Sequence, residues 1–408
     1  MTVRVLHRRR VLVPVVVAVA AVVGVIAFLS VGVGSSNRSR WTASLAYVPP
    51  APPNSVPPTV VTHEVFDSPV VQTMTCTHDK FCLAVGFGFP SIARSATEPV
   101  STYNALLLAN GKWGKVSLPT PPTPPSQLLM NVTCTAGASC VATGAASGSK
   151  FNPNTGWGDA FLVAGSGVVT VRRVVPPKEF VGYDSHCSGT SHCLMVGKVF
   201  TGVNPAAIVS GTLEMRDEKV SRPLGRKHRS GLSGISCPAS NTCYAVGYLT
   251  VGRRNQEAVV VEGNGTNWHR MPLPHLDGHS SSLQSISCAS VTSCVAVGEI
   301  TRDGVPSRPL ALEMLDGSWS TMSISQAVLN HGDFTAVTCF TATECLAVGD
   351  GSTSTSSPTS GGTAASFQGG DWQVIQVPKV AISMDHLACL NSDECFAIAG
   401  QDIIEFKR

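Results

Sequence analysis

The sequence predicts an all-β protein, a seven-bladed β-propeller of four-stranded antiparallel blades, carried behind one N-terminal transmembrane helix. Three observations predict it. Fourteen cysteines fall into seven pairs of one spacing, Cys76/Cys82, Cys134/Cys140, Cys187/Cys193, Cys237/Cys243, Cys288/Cys294, Cys339/Cys345 and Cys389/Cys395, whose first members recur after 58, 53, 50, 51, 51 and 50 residues. Each second cysteine opens an apolar run: LAVG, VATG, LMVG, YAVG, VAVG, LAVG and FAIA. Seven copies of a unit of about fifty residues point to a propeller or a repeat array. The composition agrees, because 43% hydrophobic and 13% charged residues are incompatible with a disordered chain, and 38 glycines and 27 prolines make it dense in turns.

The elements follow from the N-terminus. Residues 1–10 form a basic stub with Arg4, Arg8, Arg9 and Arg10, and residues 11–34 are an uncharged apolar run. At 1.5 Å per residue that run is long enough to cross a bilayer, and it exceeds the hydrophobic region of a cleaved signal peptide. A retained signal anchor is expected, with the arginines holding the stub in the cytoplasm and the rest of the chain outside. The resulting location is the cell membrane, single-pass, with an extracytoplasmic C-terminal domain. Residues 35–58 form a linker, and residues 59–408 the propeller. Formal net charge is +3 from 29 Lys and Arg against 26 Asp and Glu, and setting aside the four arginines of the stub leaves 25 against 26. A near-neutral body excludes a general nucleic-acid binder.

One repeat can be read for its strands. In the fifth, LQSISC alternates, CVAVGEI and RPLALEML are apolar runs, and Asp316-Gly317 turns the chain into SWSTMSI. Asp-Gly supplies the positive φ of a tight hairpin, as do Asn110-Gly111, Asn264-Gly265 and Gly369-Gly370 in other copies. Four antiparallel strands per repeat make a blade. Trp113, Trp268, Trp319 and Trp372 follow these turns and are expected to pack one blade on the next. The seventh copy stops short of its tryptophan strand, whereas RWTASLAYVPP at residues 40–50 resembles the fourth strands of other copies. Residues 41–48 are therefore expected to close the ring, with PPAPPNSVPP as an extended connector into the first blade.

In such a blade each cysteine pair straddles the first hairpin, so the two thiols face each other within disulfide reach in an oxidising compartment. Seven local disulfides are expected, each a clip on the face that carries these hairpins and each contributing about 2 kcal/mol through loop entropy. His186, Cys187, His192 and Cys193 offer a two-Cys, two-His zinc set, but neighbouring residues on a strand point to opposite faces, so no metal is expected there.

The turns LDGSWS and GNGTNW resemble the Asp-box of sialidase-like propellers, and the recurring SC-x5-CxAVG resembles secreted bacterial seven-bladed propellers with BNR-like repeats. The resemblance covers about residues 41–408 and implies the fold far more than an activity. It also implies what a sialidase-like glycoside hydrolase would need: an arginine triad, an acid and a tyrosine nucleophile at the channel mouth. Of five tyrosines, Tyr244 sits in a core slot and Tyr47 on the closing strand, leaving Tyr103 near Glu98 and Tyr183 beside Asp184, with no arginine pattern. No catalytic residue and no cofactor is assigned. Binding is expected on the face away from the cysteine hairpins, where the loops 86–104, 145–159 and 350–363 emerge. The sharpest candidate there is a basic cluster, Arg222, Arg226, Lys227 and Arg229 between the third and fourth blades, joined by Arg253 and Arg254. Such a patch suits an anionic envelope polymer, a glycan or a protein partner. The reading is a monomeric, non-catalytic binding or scaffolding module at the cell envelope. The alternatives are a sialidase-like hydrolase and an assembly factor for membrane protein complexes.

Overall fold

The computed structural model describes residues 41–48, 70–77, 81–88, 102–116, 127–135, 139–146, 156–164, 167–174, 180–199, 203–211, 219–302, 305–329, 332–351, 362–379 and 383–408. The expected stub, the membrane span, the Pro-rich connector and most of the three long loops lie outside them. No described helix is long and apolar enough to cross a membrane.

The described strands form an all-β propeller whose sheets are four-stranded and antiparallel, and seven such sheets are present. Six are built from consecutive strands; the fifth repeat, for example, supplies Ser280–Ser290, Ser293–Arg302, Val305–Leu315 and Ser318–Thr321. The seventh takes three strands from residues 386–407 and its outer strand, Thr42–Tyr47, from the other end of the chain. Thr42 pairs with Lys407 and Leu45 with Ile404. The first strand of each sheet is innermost and touches the first strands of both neighbours, and the circuit closes where Val70–Thr77 meets His386–Asn391.

The repeated phrase has a physical cause at each position. All seven disulfides are present as expected, Cys76–Cys82, Cys134–Cys140, Cys187–Cys193, Cys237–Cys243, Cys288–Cys294, Cys339–Cys345 and Cys389–Cys395, with no free cysteine among the described residues. Their Cα separations are 3.9–4.1 Å, and the cysteines face each other across the first hairpin, as the directly opposed ladder partners Cys288 and Cys294 do.

The view of each pair as a clip on the hairpin face needs correcting for its second member. Cys82, Cys140, Cys193, Cys243, Cys294, Cys345 and Cys395 are all at most 2% exposed. Each opens the second strand with its side chain turned toward the preceding sheet: Cys82 packs with Leu390, Cys140 with Leu83, Cys243 with Leu194, Cys345 with Val297 and Cys395 with Leu346. Side-chain alternation puts the cysteine on the same side as the residue two further on, so its sulfur belongs to the layer between sheets. These seven are core residues as well as bridge partners, and none offers a reactive or ligand-binding group to solvent.

The apolar residues after the second cysteine fill the remaining space between sheets: Val295 and Val297 pack toward the sixth sheet and Ala296 toward the fourth. The glycine ending that run is forced by crowding. A Cβ at Gly197, Gly247, Gly298 or Gly349 would lie 1.9–2.0 Å from a carbonyl oxygen of the adjoining inner segment. The serine before the first cysteine ties sheets together. Ser236 Oγ accepts the N–H of Cys288 at 3.1 Å, and Ser287 Oγ accepts that of Cys339 at 2.9 Å, one repeat further on.

The turn and tryptophan readings find direct counterparts. Asn110 and Gly111, and Asp316 and Gly317, all have positive φ. Trp113 packs edge-on against Phe396 of the preceding sheet at 5.4 Å, and Trp319 donates its Nε1–H to Met271 Sδ at 3.4 Å. Trp41 is buried beside the closing strand, stacked 6.0 Å from Phe340, with the Arg408 guanidinium 4.6 Å above its ring. Tyr244 is core, as expected, its hydroxyl donating to Val291 O at 2.9 Å.

Candidate functional site: a channel ring and a basic rim

The inner strands carry a shared irregularity. Their ladders skip one residue, passing from Val71 to Thr73, Leu129 to Asn131, Gly182 to Asp184, Leu232 to Gly234 and Leu283 to Ser285. In the last two repeats pairing starts just past the same place, at Ala336 and His386. In the first five repeats the skipped position is the fourth before the first cysteine, where a bulge re-aims the side chain; at the same position of the last two, Thr335 and Asp385 still donate their N–H groups to Val348 O and Ile398 O. That position holds Gln72, Met130, Tyr183, Ser233, Gln284, Thr335 and Asp385. Five of them, from Tyr183 onward, line a central cavity of about 520 Å³.

On three inner strands the next residue clasps the following sheet. The N–H of Val132 donates to Thr73 Oγ1 at 3.2 Å, that of Ile235 to Asp184 Oδ2 at 2.9 Å, and that of Val337 to Ser285 Oγ at 3.3 Å. Asn131, a glycosylation sequon in the sequence, is buried here and donates from Nδ2 to Ser185 Oγ at 2.6 Å. Hydrogen bonds between sheets thus stand behind the cavity wall, with Tyr183, Ser233, Gln284, Thr335 and Asp385 lining it.

Burial sets the protonation of this ring. It pushes the Asp184 carboxyl up to about 7, although the N–H groups of Ile235 and Ser185 pull the other way. It lowers His386 to about 4 and raises the Tyr183 phenol to about 12. Asp333 is pushed up to about 6 by burial and then by Asp350 and Glu299, and Asp385 is raised by burial and by Asp350. Tyr183 is therefore placed at the channel but held in its neutral form, and among the described residues no arginine lines the cavity. Tyr103 pairs with Phe87 in the ladder, and its side chain lies outside the described residues.

The zinc candidate is resolved by covalency. Cys187 and Cys193 are joined to each other, which removes both thiolates, and burial followed by repulsion from His192 lowers the His186 pKa. No group of described His, Cys, Asp or Glu residues could hold a metal ion.

The structure brings the two predicted basic segments together. Thr250 donates its N–H to Arg229 O at 2.8 Å, and Ser230 pairs with Leu249, so the 222–229 connection lies beside the strand that runs into the Gly252-Arg253-Arg254 turn. Arg226, Lys227, Arg229, Arg253 and Arg254 are exposed and Arg222 is half-buried. Among the described residues none of the six is in an ion pair. Sequence reasoning found this cluster but missed the channel ring. Counting four residues back from each first cysteine would have found the ring; that the first five of those residues leave the ladder is a property of the bulge, which sequence pattern alone does not display.

No protein-family model and no curated protein matches the chain. Solved structures do resemble it. YCF48 bound to D1 peptide aligns at TM-score 0.52 and 12% identity, over 90% of this chain and 94% of that one. A streptogramin B lyase aligns at TM-score 0.53 and 10% identity, over 90% and 97%. A polysaccharide lyase of the ulvan lyase type aligns at TM-score 0.50 and 8% identity, over 77% and 82%. At such identities the likeness shows a shared β-propeller fold, on which a peptide-bound protein and two lyases all stand.

Proposed function

We propose that this protein is a membrane-anchored, extracytoplasmic propeller that acts as a non-catalytic binding or scaffolding module at the cell envelope. The observation that carries the reading is the meeting of two basic segments, 222–229 and 253–254, with no carboxylate partner among the described residues. A cation cluster on a near-neutral body is a docking charge for an anionic envelope polymer, a glycan or an acidic protein segment. Seven disulfides fit an oxidising compartment, and the 11–34 run supplies the anchor that would place the propeller there.

The sialidase-like alternative asks for an ionisable tyrosine nucleophile beside arginines. Tyr183 has its phenol raised by burial and no arginine beside it among the described residues, so the described channel lacks the set that a sialidase-like hydrolysis would use. Two measurements test the reading. Full-length protein with Arg226, Lys227 and Arg229 changed to Ala is expected to lose salt-sensitive binding to anionic envelope fractions, with a shallower dependence on ionic strength. Unchanged binding would remove the cluster from the function. Across a panel of glycosides no turnover is expected, and a turnover abolished by Tyr183→Phe would establish an enzyme instead.

A further inference from the structure

Val251 and Asn255, which flank the basic turn Gly252-Arg253-Arg254, line a second cavity of about 800 Å³ between the fourth and fifth sheets. One wall is the start of the strand Asn255–Gly263 and the other is the connection 271–279. The opening has a sequence cause. The outer strand of this sheet is only Trp268–Arg270 and pairs with its neighbour over Val261–Gly263 alone. Pro272 and Pro274 then follow, and a proline has no N–H to continue a ladder. The chain swings away after Met271, leaving a groove whose apolar side chains are Val251, Met271, Leu273 and Leu276.

One sheet further on, the equivalent gap is filled from within. There the connection forms a one-turn helix, Gln326–Leu329, whose Val328 is fully buried among Val297, Ala311, Met322 and Phe334. Beside the fourth sheet the connection forms no helix; Leu273 and Leu276 pack on the layer of Val246, Val260, Met271 and Leu283 but stay only partly buried, which leaves their outer faces to the groove. The chain itself thus shows that an apolar side chain is what fits this kind of gap.

We infer that the groove between the fourth and fifth sheets, with Arg253 and Arg254 exposed in the turn between its lining residues Val251 and Asn255, docks an acidic protein segment that inserts an apolar side chain. This rests on the binding function proposed above and names its partner class. Charge decides against a neutral occupant. Glu257 is bound by Arg270 at 2.6 Å and His275 stands 3.6 Å from Asp277, whereas Arg253 and Arg254 pair with no carboxylate among the described residues. Strand addition is excluded as the mode, because the N–H groups of Gln256 and Ala258 already donate to Ser280 Oγ and Ser281 Oγ at 2.9 and 3.0 Å. Recognition must come from side chains: carboxylates onto the arginine pair, an apolar residue onto Leu273 and Leu276. A polysaccharide offers charge without the apolar insertion.

The test uses full-length protein in nanodiscs and a labelled peptide of glutamates flanking a central Leu-Phe pair, read by fluorescence anisotropy, with a twin peptide carrying Ser-Ser instead. The Leu-Phe peptide is expected to bind more tightly than its twin, and the R253A/R254A variant to weaken it about tenfold. Leu273→Ser with Leu276→Ser should reduce the Leu-Phe peptide to the level of the twin while leaving the twin unchanged. Val251, 49% exposed, provides Val251→Ser as a second groove variant that leaves the core intact, with an effect in the same direction. Equal affinity for both peptides, or groove variants without effect, would overturn the groove as the site. Displacement by polygalacturonate that ignores the groove variants would do so too. In each of these outcomes, binding to envelope fractions that still depends on Arg226, Lys227 and Arg229 would leave the broader function standing. Loss of that dependence as well would bring down both.

Discussion

Gly298 shows how a single position is dictated by its neighbour across the ladder. The Ser282 carbonyl oxygen would lie 2.0 Å from a Cβ placed there, so Gly298→Ala must shift the bulged inner strand. A destabilisation of about 2–4 kcal/mol is expected, measurable as a lowered midpoint in chemical denaturation. Gly111, with open space around its Cβ direction, should respond only through its positive φ and lose about 1 kcal/mol. Titration at the channel also belongs to this scale. Asp184, raised to about 7 from 3.8, favours the folded state while both states are neutral. Its contribution is complete below about pH 4 and is lost as pH rises toward 7. His386, lowered to about 4 from 6.5, has the opposite sign, its contribution being complete above pH 6.5 and lost as pH falls toward 4. Asp184→Asn should flatten the stability loss approaching pH 7, and His386→Gln the loss approaching pH 4. Thermal melts of the two variants across that range separate the terms.

At the scale of the element, the hairpin clip and the closing strand make different demands. Replacing Cys288 and Cys294 together by Ser frees a loop of seven residues and is expected to cost about 2 kcal/mol, since short loops recover little entropy. Because Cys294 is also core, a Cys288→Ala, Cys294→Ala chain, which buries no new hydroxyl, should lose less than the double Ser chain in the same denaturation experiment. The hydrogen bonds from Cys288 N–H to Ser236 and from Cys339 N–H to Ser287 use the backbone of these strands and should survive. Alkylation without reductant should add no label to the wild-type chain, as seven bridges consume all fourteen thiols. The strand Thr42–Tyr47 instead depends on contacts from distant sequence. Arg408 stands over Trp41 and places Nη2 2.6 Å from Glu344, bridging the last two sheets beside the closing strand. Arg408→Ala should loosen this corner by about 1–2 kcal/mol and shift Trp41 fluorescence toward the red as water reaches the ring.

For the whole molecule, the ring is sealed by pairing between the Thr42–Tyr47 strand and the Asp402–Lys407 strand, the two ends of the described chain, and that long-range contact governs cooperativity. A chain starting at residue 40 should unfold in one transition, whereas a chain starting at residue 49 lacks the outer strand of the last sheet and leaves Ile403, Ile404 and Phe406 uncovered. The shorter chain should melt at lower temperature and associate through the exposed edge, which calorimetry and light scattering will detect. The faces of the ring are also a property of the whole molecule. Arg229 and Arg253 are neighbours because adjoining strands deliver both to one side, while Tyr183, Gln284 and Asp385 converge although about a hundred residues separate each from the next.

What the sequence by itself determined was everything carried by local period: the repeat, the cysteine partners, the turns at Asn110-Gly111 and Asp316-Gly317, the tryptophan strands and the terminal strand that completes the last sheet. These follow from side-chain alternation and turn chemistry within a few residues, which a pattern records. The tertiary structure alone decided which residues face the channel, which cysteine of each pair sinks into the layer between sheets, why glycine rather than alanine ends the runs at Gly197, Gly247, Gly298 and Gly349, and where prolines open a groove whose counterpart one sheet on is filled by Val328. Those outcomes arise where atoms from separate repeats compete for the same space, and a linear pattern holds no record of that competition.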